Sequence, residues 1–278
     1  MNINNNNRQI VCLSGLPRSG STLLSSILSQ NPKIHAEGNS AVCQLMWDMY
    51  QSCNTNSIEQ LQANNRFPDT MHNLISHIPK IYYNNISPTK EVIIDKCRSW
   101  TMEQNVHLLK QFINPSIKII VIERSITDII KSFVKLYKKN NVSNEKIHDV
   151  LNKILTSNSE PIMRSIAGIN WAKKYNNHTD NDNDNNTFLF INYNDLIDSP
   201  NQTLKKIYDF CNWEEPDKYH TFHNIYNPSP ENDTFYNING FHQIRPNLER
   251  EINDIILPID IMEKCKTIDS LMGYHHIQ

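Results

Sequence analysis

Residues 15–22, GLPRSGST, combine the small and hydroxyl-bearing side chains of a loop that binds an anion. They follow an apolar run that ends at Ser14 and lead into a helical pattern that begins at Ser21. Such a turn presents its backbone N–H groups at the N-terminus of a helix, where they attract negative charge. The residues predicted to contact the anion are Pro17, Arg18, Ser19, Gly20, Ser21 and Thr22.

The loop is similar to the pattern G-x-x-x-x-G-K-[ST], but Ser21 stands where that pattern requires lysine. In nucleoside triphosphatases the lysine reaches the outer phosphates and the following hydroxyl holds magnesium. Here the nearby cation is Arg18, which suits a ligand whose outer group is not a magnesium-bound phosphate. Two alternatives stay open: a P-loop kinase for a nucleotide or small molecule, and a non-catalytic module that binds a nucleotide or glycan.

A second anion-binding pair follows the strongest strand pattern, IKIIVIE at residues 117–123. Arg124 comes directly after this run, and Ser132 lies eight positions later in a helical pattern. An arginine at the carboxyl end of a parallel strand and a hydroxyl on the next helix can converge on one phosphate. The sequence therefore predicts two anion-binding elements, each at the end of a strand.

Alternating strand and helix patterns predict the elements that position these residues. Strands are predicted at residues 9–14, 91–95, 117–123 and 187–191. Helices are predicted at residues 21–30, 101–112, 127–138, 144–155, 161–175, 202–211, 248–256 and 259–271. Residues 224–246 are irregular and are predicted to form a lid loop. Strands separated by helices indicate an α/β protein, a P-loop-type three-layer sandwich with a central parallel sheet flanked by helices.

The composition is that of one domain and argues against nucleic-acid-binding and membrane-spanning proteins. The 278 residues carry a net charge of −2, which excludes a strong basic field. No apolar run is long enough for a membrane span, and the polar start is not a secretory signal. We therefore expect a single cytoplasmic domain over residues 1–278, with residues 1–8 disordered. The six cysteines form no C-x-x-C pair, and no metal site is predicted.

Three stretches, PRSGST at residues 17–22, IIDKCRSW at residues 93–100 and RSITDIIKSF at residues 124–133, together resemble one enzyme family. They are similar to sulfotransferases that use 3′-phosphoadenosine 5′-phosphosulfate (PAPS), and most similar to the tyrosylprotein and Golgi-type branches. The resemblance implies that the first stretch binds the 5′-phosphosulfate. It also implies that Arg124 and Ser132 bind the 3′-phosphate, although the usual Asp-Pro turn is absent.

The resemblance implies catalytic roles for four residues. Lys96 corresponds to a lysine that reaches the transferring sulfuryl group, and Arg18 would help it to stabilise developing negative charge. Glu37 corresponds to a catalytic glutamate and would act as general base, with His35 in reserve. The cytosolic branch uses a histidine two positions after the lysine, but Arg98 stands there and cannot accept a proton.

The C-terminal half adds two nucleotide ligands by the same resemblance. The stretch YNDLIDSPNQTLKKIYDFCNW places Tyr193 near the nucleotide, and GFHQIRPN offers His242 and Arg245 in the lid loop. Arg245 would be a lid contact in place of an absent Arg-Lys-Gly clamp. The expected reaction is transfer from PAPS, which leaves 3′-phosphoadenosine 5′-phosphate (3′,5′-ADP), to a hydroxyl of a protein tyrosine, a glycan or a small molecule. Acceptor specificity would reside in residues 40–90 and 140–180.

Overall fold

The computed structural model describes residues 8–158, 161–178, 187–250 and 254–274, which contain five strands and eleven α-helices. The strands are β1 (Gln9–Gly15), β2 (Ile34–Asn39), β3 (Val92–Lys96), β4 (Lys118–Glu123) and β5 (Phe188–Asn192). The helices are α1 (Ser21–Leu28), α2 (Val42–Asn54), α3 (Ile58–Ala63), α4 (Asp69–Tyr82), α5 (Glu103–Phe112), α6 (Ile126–Lys139), α7 (Asn144–Thr156), α8 (Pro161–His178), α9 (Tyr193–Asp198), α10 (Pro200–Cys211) and α11 (Ile259–Leu271).

The five strands form one parallel sheet in the order β2-β3-β1-β4-β5. The central strand β1 pairs with both β3 and β4, so that Leu13 lies opposite Lys96 and Gly15 lies opposite Ile122. Parallel strands covered on both faces are apolar along their length, which is the pattern of IKIIVIE. The predicted α/β class, a parallel sheet flanked by helices, is confirmed.

Alternate strand residues divide the core into two halves, one on each face of the sheet. On one face, Cys12, Ile93 and Val121 pack among apolar residues of α2, α5, α6, α7, α8 and α11. On the other face, Leu13 and Ile94 pack among apolar residues of α1, α9 and α10. We call the second of these the P-loop face, because it carries α1. None of the helices within the described ranges is long and apolar enough to cross a membrane.

Several predictions about individual segments need correction or lie beyond the described residues. The helix predicted at residues 248–256 is wrong, since residues 248–250 and 254–256 are not helical; instead, the N–H of Leu248 donates to the carbonyl of Phe222. Strand β2 and helices α2, α3, α4 and α9 were not predicted. The predicted disorder of residues 1–7 lies outside the described part, whereas Arg8 donates hydrogen bonds to the carbonyls of Tyr83 and Ile86.

Helix α11 fixes the start of α6 through one buried carboxylate. Asp269 is fully buried and accepts hydrogen bonds from the backbone N–H groups of Ile126 and Thr127 and from the Thr127 hydroxyl. The first N–H groups of a helix have no partner within it, so an acceptor from elsewhere in the chain satisfies them. Because α6 carries Ser132, this contact also orients one of the predicted phosphate ligands.

We expect Asp269→Ala to lower the free energy of unfolding by about 2–4 kcal/mol, because buried N–H donors lose their acceptor. Urea denaturation followed by circular dichroism would measure the change. Lys266→Ala, on an exposed position of the same helix, is the matched control and should stay within about 0.5 kcal/mol of the wild type. Equal effects of the two substitutions would contradict the role of the carboxylate.

Candidate functional site

The loop between β1 and α1 is held in close contact with two neighbouring elements. At Gly20, which has a φ of +103°, a Cβ atom would lie 2.5 Å from the ring of Tyr193. At Gly15, a Cβ atom would lie 2.6 Å from the carbonyl oxygen of Ile122 on β4. Any side chain at these positions would collide, so both glycines are required by the close approach of the loop to β4 and α9.

Two of the predicted phosphate ligands, Ser132 and Arg124, contact Arg18. Its Nε donates to Oγ of Ser132 at 3.2 Å, and its carbonyl oxygen accepts from Nη1 of Arg124 at 3.3 Å. The guanidinium of Arg124 also lies 4.3 Å from the ring centre of Tyr193. The structure therefore brings together Arg18, Arg124, Ser132 and Tyr193, residues from four separate elements.

Two buried polar atoms at this loop have no hydrogen-bond partner among the described residues. They are Oγ of Ser19 and Nε of Arg124. Ser19 is fully buried beneath the loop. Buried polar groups in proteins are nearly always paired, so two such atoms beside a cluster of cations fit an anionic ligand.

Lys96 lies at the carboxyl end of β3 and is almost fully buried, with 3% of its side chain exposed. Its Nζ is 3.3 Å from Oγ1 of Thr22 in α1 and 3.1 Å from Oε1 of Glu231. Burial lowers the pKa of Lys96, and the adjacent Glu231 carboxylate offsets part of that shift. The side chain thus brings a cation to the N-terminus of α1, where the usual P-loop lysine is missing.

Glu231 comes from the predicted lid loop and is held against the end of β2. Asn39 donates to its carboxylate from both the backbone and the side chain, and a Cβ at Gly38 would lie 2.1 Å from its Cγ. Burial raises the pKa of Glu231, but the charges of Lys96 and His242 and the hydrogen bonds from Lys96 and Asn39 together lower it below its usual value. Glu231 is therefore the anion that accompanies Lys96.

His242 joins Glu231 to a second carboxylate of the same loop. Its Nδ1 lies 2.7 Å from Oδ1 of Asp233, and its Nε2 lies 3.3 Å from Oε2 of Glu231. Burial, together with the charge of Lys96, lowers the pKa of His242, and the two carboxylates offset only part of that shift. Asp233 and Glu231 were missed by the sequence analysis, because nothing in an irregular stretch indicates which carboxylate faces a distant lysine.

His35 and Glu37 form a separate pair, with Nε2 and Oε2 3.1 Å apart. His35 lies opposite Ile93 of β3 and its ring contacts the edge of Tyr83. The pairing of β2 with β3 is irregular between Ala36 and Asn39, but the charge of Glu37 also acts on Tyr83. Both side chains therefore lie on the side of Ile93 and Tyr83, which is the face opposite the P-loop face. Lys96 shares the P-loop face with Ile94. Among the described residues, no hydrogen bond or ion pair joins Glu37 to Lys96. The structure thus does not bring the predicted base to the predicted sulfuryl-binding lysine.

A cavity of about 420 Å³ opens between the β1–α1 loop, α6 and the lid loop. Most of the predicted site residues line it. They are Pro17, Arg18, Gly20, Ser21, Thr22, Lys96, Arg124, Ser132, Tyr193 and Arg245. His35 and Glu37 do not, and Ser19 lies beneath the loop. The cavity joins the two predicted anion-binding elements to the buried lysine.

Comparison with known proteins gives a family and a fold. A profile of the Sulfotransferase family matches residues 11–217, which is more than half of the chain. A search of curated proteins gives no significant match.

Three solved structures support the same fold. One is the sulfotransferase domain from the Synechococcus PCC 7002 olefin synthase, with 19% identity over 98% of this chain and 97% of that one, at a TM-score of 0.56. The sulfotransferase domain from the curacin biosynthetic pathway has 19% identity over 96% and 98%, at a TM-score of 0.55. A sulfotransferase from Alicyclobacillus acidocaldarius has 12% identity over 96% and 97%, at a TM-score of 0.53. At these identities the likeness concerns the fold alone.

We expect Gly20→Ala to destabilise the protein by about 3 kcal/mol, since it combines an unfavourable positive φ with a collision against Tyr193. Gly273→Ala is the matched control, because Gly273 also has a positive φ but nothing lies within 4 Å of its Cβ position. The control should cost only about 1–2 kcal/mol. Chemical denaturation of both variants would measure the difference, and equal losses would contradict the close contact of the loop with α9.

Proposed function

The chain belongs to the Sulfotransferase family, and on this premise we propose that it transfers the sulfuryl group of PAPS to a hydroxyl acceptor. One observation carries the proposal: a single cavity is lined by the β1–α1 loop, by Arg124 and Ser132, and by the buried Lys96. Such a cavity has donors for two separate phosphates and a cation for a third anionic group. This is the set of charges that a doubly phosphorylated sulfate donor carries.

The residues present fit that donor at both of its phosphates. The N–H groups at the start of α1, with the hydroxyls of Ser19, Ser21 and Thr22, would bind the 5′-phosphosulfate. Arg124, Ser132 and Arg18 would bind the 3′-phosphate, which ATP lacks. The unpartnered Nε of Arg124 supports this assignment, because it is a buried donor of a residue that lines the cavity, and the unpartnered Oγ of Ser19 is a second buried donor in the same loop as Arg18 and Ser21. Tyr193 and Arg245 would complete the nucleotide site from α9 and the lid loop.

The donor supplies an activated sulfuryl group, and the protein has to stabilise the charge that develops as the sulfur–oxygen bond breaks. Lys96 is a fixed cation in a largely buried setting, where electrostatic stabilisation is strongest. Arg18 is predicted from the sequence to stabilise the same charge, and this stays a prediction; the Arg18 guanidinium donates to Ser132 and to the carbonyl of Phe241, on the side proposed for the 3′-phosphate. Lys96 can serve only when Glu231 withdraws, since the carboxylate and an anionic sulfuryl group would compete for the same Nζ.

The acceptor hydroxyl, with a pKa of about 10 or above, needs a general base. The sequence-based proposal assigns this role to Glu37, with His35 in reserve, and it stays a prediction. Both residues lie on the face of the sheet opposite Lys96. The acceptor class, whether protein tyrosine, glycan or small molecule, is likewise a prediction, as is the tyrosylprotein or Golgi-type affinity.

We expect 3′,5′-ADP to bind without magnesium and to raise the melting temperature, whereas ATP with magnesium should not. Arg124→Ala and Arg18→Ala should each weaken 3′,5′-ADP binding about 10- to 100-fold, the loss of a charged hydrogen bond. Thermal denaturation would measure the melting temperatures, and isothermal titration calorimetry would measure the affinity of each variant for 3′,5′-ADP. Arg66→Ala, at an exposed position, is the control. A response to magnesium ATP alone would favour the kinase alternative and contradict the proposal.

We expect Lys96→Ala to lower kcat about 10²- to 10³-fold while leaving 3′,5′-ADP affinity within about twofold, because the lysine acts on the transferring group. Transfer of ³⁵S from labelled PAPS to p-nitrophenol, a tyrosine peptide and a methyl glycoside would measure turnover. Lys33→Ala, at an exposed position, is the control. Full activity of Lys96→Ala would remove the lysine from the mechanism, and binding of 3′,5′-ADP without any transfer would indicate a non-catalytic module.

A further inference from the structure

A general base for this reaction has to reach two places at once. It must touch the acceptor hydroxyl, and it must lie close to the sulfuryl group beside Lys96. A second cavity, of about 380 Å³, adjoins the donor cavity and is also lined by Tyr226, Glu231 and Asp233. The two cavities share a wall made by His242, Gln243, Ile244 and Pro246. Of these four residues, only the histidine can accept a proton near neutral pH.

His242 has the surroundings of an oriented base. Its Nδ1 lies 2.7 Å from Oδ1 of Asp233, and its backbone N–H donates to Oδ2 of the same carboxylate at 3.1 Å. A carboxylate that accepts a hydrogen bond from Nδ1 fixes the ring, and Nε2 then offers its lone pair once no second carboxylate faces it. That nitrogen points to Glu231, whose other oxygen contacts Nζ of Lys96 at 3.1 Å. One carboxylate therefore separates Nε2 from the lysine.

We propose that His242 is the general base of the transfer reaction and that Asp233 is its positioning residue. The inference rests on the proposed function. Nε2 of His242 accepts the acceptor hydroxyl proton as the acceptor oxygen forms its new bond to sulfur. The bond between sulfur and the 5′-phosphate oxygen breaks at the same time, and its electron pair stays on that oxygen, where Lys96 stabilises it. The second cavity then takes the acceptor.

Glu231 keeps this arrangement closed until the donor binds. Its carboxylate occupies the space between Lys96 and His242 that the sulfuryl group and the acceptor hydroxyl need. Withdrawal of Glu231 frees both Nζ of Lys96 and Nε2 of His242 in one step. The charged groups around His242 are Glu231 and Asp233 from its own loop and Lys96 from β3. Burial and the charge of Lys96 lower the pKa of His242, whereas the two carboxylates raise it, and the result is a lowered pKa.

The alternative base, Glu37, lacks these features. Its carboxylate is paired with His35 and its charge acts on Tyr83, on the face of the sheet opposite Lys96. Neither cavity is lined by Glu37 or His35. The two assignments therefore predict different outcomes for the same set of substitutions.

The kinetic test uses His242→Gln, with His242→Asn as a second variant in case the first is unstable. With the ³⁵S assay above, we expect kcat to fall about 10²- to 10³-fold, 3′,5′-ADP affinity to stay within about twofold, and the acidic limb of the pH–kcat profile to disappear. The acidic limb reflects protonation of the base at low pH. The kcat of the wild type therefore rises with pH as the base loses its proton. His223→Gln, at an exposed position just before the lid loop, is the control and should match the wild type.

Substitutions of the three carboxylates distinguish the remaining assignments. Asp233→Asn should lower kcat about tenfold and move the acidic limb to lower pH, because a carboxylate that favours the imidazolium is lost. Glu37→Gln and Glu231→Gln should both keep the limb. The inference would be overturned if His242→Gln kept the acidic limb of the pH–kcat profile and either Glu37→Gln or Glu231→Gln lost it. The base would then be the glutamate whose substitution removes the limb.

A readout that needs no acceptor is the titration of the His242 imidazole by NMR in the complex with 3′,5′-ADP. We expect Asp233→Asn to lower the pKa of the His242 imidazole and to change its tautomer; an unchanged tautomer and pKa would contradict the positioning role.

Failure of the wild type both to bind 3′,5′-ADP and to transfer sulfate would overturn the proposed function itself. Transfer by the wild type with an unaltered His242→Gln profile would overturn only the assignment of the base.

Discussion

The parallel pairing of β1 with β3 and β4 is the constraint on which the site depends. Because all three strands run in the same direction, the residues that follow them meet at one edge of the sheet. The β1–α1 loop, Lys96 and Arg124 come from stretches that are far apart in the sequence, and the sheet alone makes them neighbours. Gly15 and Gly20 then allow the loop to lie against β4 and the Tyr193 ring.

A lysine as buried as Lys96 requires a counter-charge, and this requirement ties the lid loop to the sheet. Glu231 supplies the charge, and the N–H of Ile225 donates to the carbonyl of Pro246 at 2.7 Å, which holds the two ends of the loop together. Any movement of Glu231 is therefore made by the segment between these ends, which also carries His242. Exchange of a protein anion for a ligand anion at Lys96 would couple donor binding to the arrangement of the loop.

Buried carboxylates also hold the scaffold behind the site. Asp95, next to Lys96, accepts hydrogen bonds from Ser40, Tyr83 and Trp100, which belong to three different segments of the chain. Burial raises the pKa of Asp95, and these three donors offset part of that shift. Asp269 likewise accepts hydrogen bonds from the first residues of α6. The end of β3 and the helix that carries Ser132 are thus each fixed by contacts that are distant in sequence.

Local sequence was enough to predict four of the five strands, and it singled out the loop and the pair Arg124 and Ser132, which the structure brings to one cavity. Each of these features depends on residues within one strand–turn–helix unit, where spacing and residue type specify the geometry. Local sequence also predicted the α/β class correctly, because few other fold classes contain β-branched strands separated by helices along the chain.

The remaining features depend on contacts between distant residues. Strand β2, with the sequence IHAEGN, has little strand propensity and forms because β3 offers an edge to pair with. Its pairing with β3 is irregular between Ala36 and Asn39, and Glu37 pairs with His35 rather than with Lys96, which no local pattern reveals. The helix predicted at residues 248–256 is wrong because Leu248 bonds to a distant segment. Glu231, Asp233 and His242 meet Lys96 only through the path of an irregular loop, and such a path is set by tertiary packing rather than by periodicity.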